Sequence, residues 1–525
     1  MIRNASDPAS RQFVWAIFGI GILVSVLLSI WSIAIDSVIN NDGIEYIRTA
    51  KFLSEGDWRS AFAAYRWPTY PFLIMLVGNI AGAILPNLED PYKLAGHALN
   101  TTFFALAVML FVAVVRGFGG TSRRITWIAM LVALIHPAFN EYRAFLIRDP
   151  GYLAAYLLAV YYLTQCRHQP WLRYRLGVIG SLLAASLFRI EGLVFLFFAP
   201  VLFSLVDARA GKSYWTRLLF SVLAIAILAP ILGCWLLVPT GEFNALSLVK
   251  DPVEVLTAGW QQVWTGVDGK LEVLREKFLG PYSAGHANTL YGLAVVMVIA
   301  TSILSELTVP YAVLMLYGVL SRLFSGDDAL NKLWLTLILI NITILLAFTL
   351  IMVFLAPRYP LVTTITLLIA VPFVLDKLTK DVRWHRLKKV WWIVVAILTL
   401  WALGESYSGV TNFSKDHFLR ETGYWLYEKT ENRSGPIVTN SRKIAYYAGV
   451  QGDREVLVIG RDYFMDSLQH LTHDLGTDFA GLLVQRSESS IEQALYEAVG
   501  SRPVKTFHDK RGDRVLMYDL RSWPD

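Results

Sequence analysis

An aspartate and a glutamate stand three positions apart in Asn41-Asp42-Gly43-Ile44-Glu45-Tyr46-Ile47-Arg48, just past the first long apolar run. Gly56-Asp57-Trp58 and Arg66-Trp67-Pro68-Thr69-Tyr70-Pro71 follow in the same hydrophilic stretch. An ionised carboxylate placed there is within reach of both water and a membrane interface. Asp42 could therefore take the proton of an acceptor hydroxyl, or ligate a divalent cation. The same residues suit a helix cap, with Asn41 or Asp42 ahead of a helix over 43–54 and Glu45 completing a capping box. Capping and chemistry are compatible roles for one carboxylate.

Three further groups carry charge between apolar segments. Asn140-Glu141-Tyr142-Arg143 with Arg148-Asp149-Pro150 supplies two acids and two arginines, enough to bind a sugar or a phosphate. The plainer reading is an arginine–carboxylate network, with Asp149 as N-cap and Pro150 opening the next helix. Arg189-Ile190-Glu191-Gly192 interrupts a long apolar stretch, where ionisable groups are costly unless paired and are often functional. A surface hairpin tip turned by Gly192 is the competing reading. Arg358-Tyr359 is bracketed by Pro357 and Pro360, leaving a guanidinium that could grip a lipid phosphate bidentately or simply snorkel to headgroups. His136, ahead of Pro137, is expected to be structural. Walker loops, GxSxG and HExxH are absent, and so are CxxC pairs.

These groups need a membrane scaffold. The chain has 525 residues, 55% of them hydrophobic and 17% charged, and its mean hydropathy is +0.48. A water-soluble fold cannot bury that much apolar surface, so a polytopic α-helical membrane protein is expected. The net charge of +6 comes from basic residues in short loops rather than a nucleic-acid-binding patch. Apolar runs fall at 13–35, 98–115, 125–139, 150–166, 176–188, 192–206, 218–238, 288–321, 333–355, 361–375 and 390–404, which suggests about 11–13 membrane helices. The run at 13–35 is too long for a signal-peptide core and is expected to stay uncleaved. The run at 288–321 is broken near Pro310 and fits one kinked helix or two short ones.

Basic loops at Arg116 to Arg124, Arg167 to Arg175, Arg209 to Arg217 and Lys377 to Lys389 are expected in the cytoplasm. Segments 36–69, 140–150 and 240–287 then face outward, together with Arg189 to Gly192 and Pro357 to Pro360. That count requires 70–86 to lie at the interface or re-enter rather than cross. Past residue 404, short apolar runs alternate between strand and helix periods. A small outward α/β domain over 405–525 is expected behind a transmembrane catalytic domain over 1–404. Its expected elements are helices at Phe418–Thr430, Arg442–Tyr447, Tyr463–Leu475 and Ser490–Val499, strands at Pro436–Asn440, Glu455–Ile459 and Phe479–Gln485, and a terminal hairpin turning at 510–513.

The layout resembles the GT-C superfamily of polytopic glycosyltransferases, in particular the branch of protein O-mannosyltransferases and lipid A aminoarabinose transferases. The likeness rests on Asp42-Gly43-Ile44-Glu45-Tyr46 with Tyr70-Pro71, on Arg148-Asp149, on Leu187-Phe188-Arg189-Ile190-Glu191-Gly192, and on Pro357-Arg358-Tyr359-Pro360 with Gly423-Tyr424-Trp425-Leu426, Ile437-Val438-Thr439-Asn440 and Ala445-Tyr446-Tyr447-Ala448-Gly449. It departs where the family shows paired acids or a Pro-Pro, since this chain has Asp42-Gly43 and Pro68-Thr69-Tyr70-Pro71. The resemblance implies a sugar donor on a polyprenyl phosphate and a hydroxyl acceptor on a glycolipid, glycan or protein. It implies transfer on the periplasmic face of a bacterial inner membrane, with inversion at the sugar. Asp42 would be the catalytic carboxylate. Glu45, Tyr46, Glu141, Arg148, Asp149, Arg189 and Glu191 would line the substrate site, and Arg66, Arg358 and Tyr359 would meet the lipid phosphate. No cofactor is required; a divalent metal on Asp42 and Asp149 is admissible. A transporter or flippase, or a non-catalytic assembly subunit, are the alternatives, but the acids sit at helix ends and no internal repeat is visible.

Overall fold

The computed structural model describes residues 8–206 (without 37, 66, 170 and 171), 265–320, 327–380 (without 353 and 354), single residues between 393 and 408, and 416–430, 437–449, 456–458, 479–484, 502–509 and 512–519. The protein is a polytopic helical membrane protein with a small C-terminal sheet. Among the described residues five helices are long and apolar enough to cross a bilayer: Arg11–Ile35, Pro91–Gly117, Ala284–Leu307, Asp328–Leu350 and Leu361–Lys380. Shorter apolar helices lie at Thr69–Ile84, Glu191–Val206 and Val309–Val319. The run 218–238 and part of 390–404 fall outside the described residues. Along the first helix Trp15, Leu23, Leu27 and Trp31 are each more than half exposed. Such an apolar face is stable only against lipid.

Contacts divide the chain into two compact units. The first comprises Met1–Ser29, Thr101–Arg143 and Arg148–Val410; the second comprises Ile30–Asn100, Ala144–Ile147 and Thr411–Asp525. Helices α1 (Pro8–Ile35) and α5 (Pro91–Gly117) run through both. The first unit also holds α6 (Arg123–Ile135), α7 (Asp149–His168), α8 (Leu172–Phe188) and α9 (Glu191–Val206). Beyond them come α10 (Ala287–Leu307), α11 (Val309–Leu320), α12 (Asp328–Met352), α13 (Leu361–Leu368) and α14 (Val371–Lys380). Antiparallel neighbours α7, α8 and α9 pack consecutively, and α9 also packs on α12. Gly192 lets α9 start against α8, because a Cβ there would fall on the Ser186 backbone. A polar network bridges distant segments of this core: Asn341 donates to the Tyr156 hydroxyl (3.3 Å), which meets Thr366 Oγ1 (2.9 Å), and Trp334 donates to the Thr366 carbonyl (2.8 Å). In a dry interior such groups must satisfy one another.

The apolar stretch 288–321 forms two helices, α10 and α11. They are separated at Thr308, whose φ of 60° and ψ of 153° suit glycine rather than a β-branched residue. The stretch 70–86 forms a helix, α4 (Thr69–Ile84), of 16 residues. At 1.5 Å per residue it is about 24 Å long, short of the ~30 Å hydrocarbon layer.

In the second unit, α2 (Asn41–Ser54) packs on α3 (Trp58–Ala64) and α4. The helix starts two positions earlier than expected, and this overturns the capping box. Asn40 occupies the N-cap without a side-chain cap bond, and Asp42 lies inside the first turn. The Asn40 side chain is used elsewhere: its Nδ2 donates to the Leu146 carbonyl (3.0 Å) and its Oδ1 accepts from Leu146 N (2.8 Å). The C-terminal segment contributes α15 (His417–Thr430), β1 (Ile437–Thr439), α16 (Arg442–Gly449), β2 (Val456–Val458), β3 (Phe479–Val484), β4 (Lys505–His508) and β5 (Arg514–Asp519). The sheet order is β2-β1-β3-β5-β4. β1 pairs parallel with β2 and β3, while β5 pairs antiparallel with β3 and β4. Leu426, Ile437, Ile444, Val515 and Met517 fill its core. The expected helices at 463–475 and 490–499 fall outside the described residues.

Candidate active site

Each unit carries part of the expected chemistry. In the second unit Asp42 is half-buried on the first turn of α2, where the helix dipole favours a negative charge. Several contacts pin that turn. A Cβ on Gly43 would come within 2.9 Å of Leu146 Cβ, so only glycine lets the 144–147 segment lie so close. Ile39 N, three residues ahead of Asp42, donates to the Tyr447 hydroxyl at 2.8 Å. Val38, Ile39, Ile47, Leu146 and Tyr447 form one apolar cluster around it. One turn on, the Glu45 carboxylate accepts from Arg442 Nη1 at 2.9 Å, in a pair with Arg442 more than half exposed. Tyr46 is 3% exposed, edge-on to Tyr65 (5.0 Å) and Tyr70 (5.1 Å). It supports the helix from inside. Arg66 lies outside the described residues.

In the first unit Arg189, in the turn between α8 and α9, bridges two acids. Nε donates to Glu191 Oε1 at 3.0 Å, Nη2 reaches the same oxygen, and Nη1 reaches Asp149 Oδ1. The three side chains are 8%, 17% and 6% exposed. Burial alone would discharge the guanidinium, but Glu191 and Asp149 beside it hold its pKa above the ordinary arginine value. The guanidinium carbon also lies 4.9 Å from the Tyr359 ring centroid and 5.7 Å from that of Tyr152. Tyr359 in turn rests on Phe348, with ring centroids 4.4 Å apart. The expected N-cap at Asp149 shifts by one: Arg148 caps, and Asp149 opens α7 ahead of Pro150.

Arg148, Arg189 and Arg358 all act electrostatically on Asp149. Asp149, Arg189, Glu191, Arg358 and Tyr359 share the wall of a cavity of about 20 Å³, room for a single water. Thus five residues singled out in the sequence share one locus. Glu141, by contrast, is exposed. Arg143, next to it, is wholly buried: it bonds the Ser25 carbonyl (2.8 Å), Ser29 Oγ (2.8 Å) and Asn140 Oδ1 (2.8 Å). Its part is to fasten the loop to α1 rather than to bind ligand. His136 is structural as expected, accepting from Ala138 N (3.1 Å) and meeting the Leu307 carbonyl (3.1 Å).

One acid at this locus carries no signal in the sequence beyond a broken apolar run. Glu306, at the end of α10, is 7% exposed, and its Oε1 has no hydrogen-bond partner among the described residues. It stands two residues before the strained Thr308. Burial, then Glu306, Glu141 and Asp149 in turn, raise the pKa of Tyr142 well above the ordinary phenol value. Among the described residues no three His, Cys, Asp or Glu side chains group as metal ligands. Asp149 is bonded to Arg189, so a divalent cation there would compete with that guanidinium.

No protein-family model and no curated protein sequence matches this chain. Solved structures do. The oligosaccharyltransferase of Archaeoglobus fulgidus, solved tethered with an acceptor peptide containing the NVT sequon, is 12% identical with a TM-score of 0.50, over 91% of this chain and 70% of that one. ArnT from Cupriavidus metallidurans is 13% identical in both its states. The apo structure covers 98% of this chain and 100% of its own with a TM-score of 0.40; the one bound to undecaprenyl phosphate covers 95% and 97% with a TM-score of 0.39. The oligosaccharyltransferase match establishes the fold, and it is the GT-C fold that the sequence resemblance implied.

Proposed function

We propose that the protein is a membrane glycosyltransferase that moves a sugar from a polyprenyl-phosphate donor to a hydroxyl of a glycolipid, glycan or protein. Transfer takes place on the periplasmic face of a bacterial inner membrane. The observation that carries this reading is the single cavity wall shared by Asp149, Arg189, Glu191, Arg358 and Tyr359. Arg358 shares that wall with the Arg189 bridge, and guanidiniums set there suit a departing phosphate. Support for the class comes from the fold, which is similar to that of an oligosaccharyltransferase.

Asp42 takes the proton of the acceptor hydroxyl. The acceptor oxygen then bonds to the anomeric carbon as the bond from that carbon to the phosphate oxygen breaks, and the lipid phosphate leaves with the electron pair. One direct displacement inverts the sugar. A phosphate ester leaves readily, so the chemistry needs a base and cations more than a general acid. The test is transfer from a synthetic polyprenyl-phosphate sugar by the purified protein in liposomes. Asp42→Asn should lower the rate by about 10²–10⁴-fold, the usual worth of a positioned base, with an unchanged unfolding midpoint. Full activity in that variant refutes the assignment.

A further inference from the structure

A second cavity, of about 240 Å³, lies wholly within the second unit. Its walls are Ile33 at the end of α1, the segment Leu88 to His97 leading into α5, and Tyr424, Tyr446 and Tyr447 from α15 and α16. None of the chemistry assigned above uses it. Its volume is just below the ~300 Å³ at which small-molecule pockets usually begin. At ~30 Å³ per molecule it would hold about eight waters. The space fits one ring-sized unit, not a chain.

The polar lining argues against an ion. Asp90 Oδ2 accepts from the Tyr446 hydroxyl at 2.6 Å, and its Oδ1 accepts from Tyr92 N and Lys93 N at 3.0 Å. Glu89 accepts from the Tyr424 hydroxyl at 3.4 Å. The Lys93 ammonium sits 5.5 Å over the Tyr447 ring, in the fields of Asp90, Arg420 and Glu89. Two cations therefore oppose two carboxylates, and neither sign is in excess. One group is left over. His97 is 8% exposed, and its Nδ1 has no hydrogen-bond partner among the described residues. A buried polar nitrogen without a partner is costly, and a turn of the imidazole would bring it to a cavity occupant able to bond it. Depending on tautomer, that nitrogen either donates or accepts. A neutral hydroxyl answers both cases, whereas a phosphate brings an unbalanced negative charge and an ammonium only donates.

We infer that this cavity is a sugar-recognition site that takes one neutral pyranose-sized unit. The ring's apolar C–H face lies on the tyrosines, its hydroxyls meet His97, Lys93 and the two carboxylates, and Ile33, Leu88 and Leu94 cover its edge. The site does not depend on the transfer reading. Its occupant would nonetheless press on Tyr447, whose hydroxyl holds Ile39 N three residues ahead of Asp42.

Saturation-transfer NMR on the full-length protein in detergent tests this. The probes are methyl β-D-glucopyranoside, methyl α-D-mannopyranoside and methyl β-D-galactopyranoside, with inorganic phosphate and methylammonium as charged competitors. At least one glycoside should bind saturably and resist both competitors. Tyr424→Ala and His97→Leu should each weaken it about tenfold or more, as expected for losing a stacking face or a hydrogen bond. Leu94→Trp, at a residue 42% exposed, should block the mouth without touching the buried groups. Each variant's unfolding midpoint reports whether it has folded. Three results overturn the proposal: no glycoside saturates, so that the cavity holds water alone; phosphate or methylammonium displaces the glycoside; or folded Leu94→Trp binds as tightly as the parent.

Discussion

Replacing Arg189 by methionine should destabilise the first unit severely, and the size of the effect follows from the geometry. The guanidinium bonds two carboxylates at once, and all three side chains are less than one-fifth exposed. Methionine keeps much of the side-chain volume, so little of the loss is packing. What remains is Asp149 and Glu191 without the guanidinium that bonds them, opposed only by the fields of Arg358 and Arg148. Breaking a buried pair by removing one partner costs about 3–5 kcal/mol. The buried thiol of Cys166, on α7 with Asp149, offers a local readout through its reaction with a fluorogenic maleimide in a Cys234→Ser background. Where opening limits labelling, 3–5 kcal/mol corresponds to a rate increase of about two to four orders of magnitude. Arg189→Lys, a point charge that cannot bridge both acids bidentately, should fall between. The triple variant Asp149→Asn, Arg189→Met, Glu191→Gln should recover most of the loss, because exchanging a whole buried ion cluster for neutral groups is often nearly neutral. An Arg189→Met protein that labels within twofold of the parent refutes the buried bridge.

Three further outcomes follow from single positions. Gly192→Ala drives a methyl into the Ser186 backbone and should cost about 1–3 kcal/mol in the same labelling assay; parent-like labelling means α8 and α9 are not in close contact. Thr308→Gly relieves a backbone conformation worth about 1–3 kcal/mol of strain against a glycine entropy cost of about 0.5–1, and should raise the unfolding midpoint. A lowered midpoint contradicts it. Burial raises the Tyr447 phenol to about 12 in the folded protein, against 10.0 for a free side chain. Its contribution to stability is therefore full below pH 10, and is lost as pH rises through about 12. Thermal unfolding followed between pH 9 and 12 should show that decline, and Tyr447→Phe should flatten it; an unchanged profile in the variant shows that Tyr447 is not the group responsible.

What the sequence revealed and what it hid divide along physical lines. Charged groups between apolar runs are conspicuous because the bilayer taxes them, so Asp149, Arg189, Glu191 and Arg358 were found individually, and the fold brings them to one cavity. The strand and helix periods of the tail located β1, β2, β3, α15 and α16 to within a residue or two, and the turn at 510–513 announced the hairpin of β4 and β5. Partners across long separations were not legible. Nothing local says that Asn40 will leave its cap to bond Leu146, or that Tyr447 will hold the backbone ahead of Asp42. Both are obligations of buried backbone groups, and they are settled only once two distant segments meet. Glu306 was hidden for the opposite reason. A single acid near a proline looks like the end of a helix, and only the burial of its carboxyl beside a glycine-like backbone at Thr308 gives it the look of a working group. A buried carboxyl oxygen with no hydrogen-bond partner among the described residues and a strained β-branched residue two positions on both cost stability, and such breaches of local rules cluster at functional sites. That makes Glu306 the next side chain to examine after Asp42. If Glu306→Gln stabilises the protein while slowing transfer, its acid serves the reaction; if it stabilises without slowing transfer, its burial serves none.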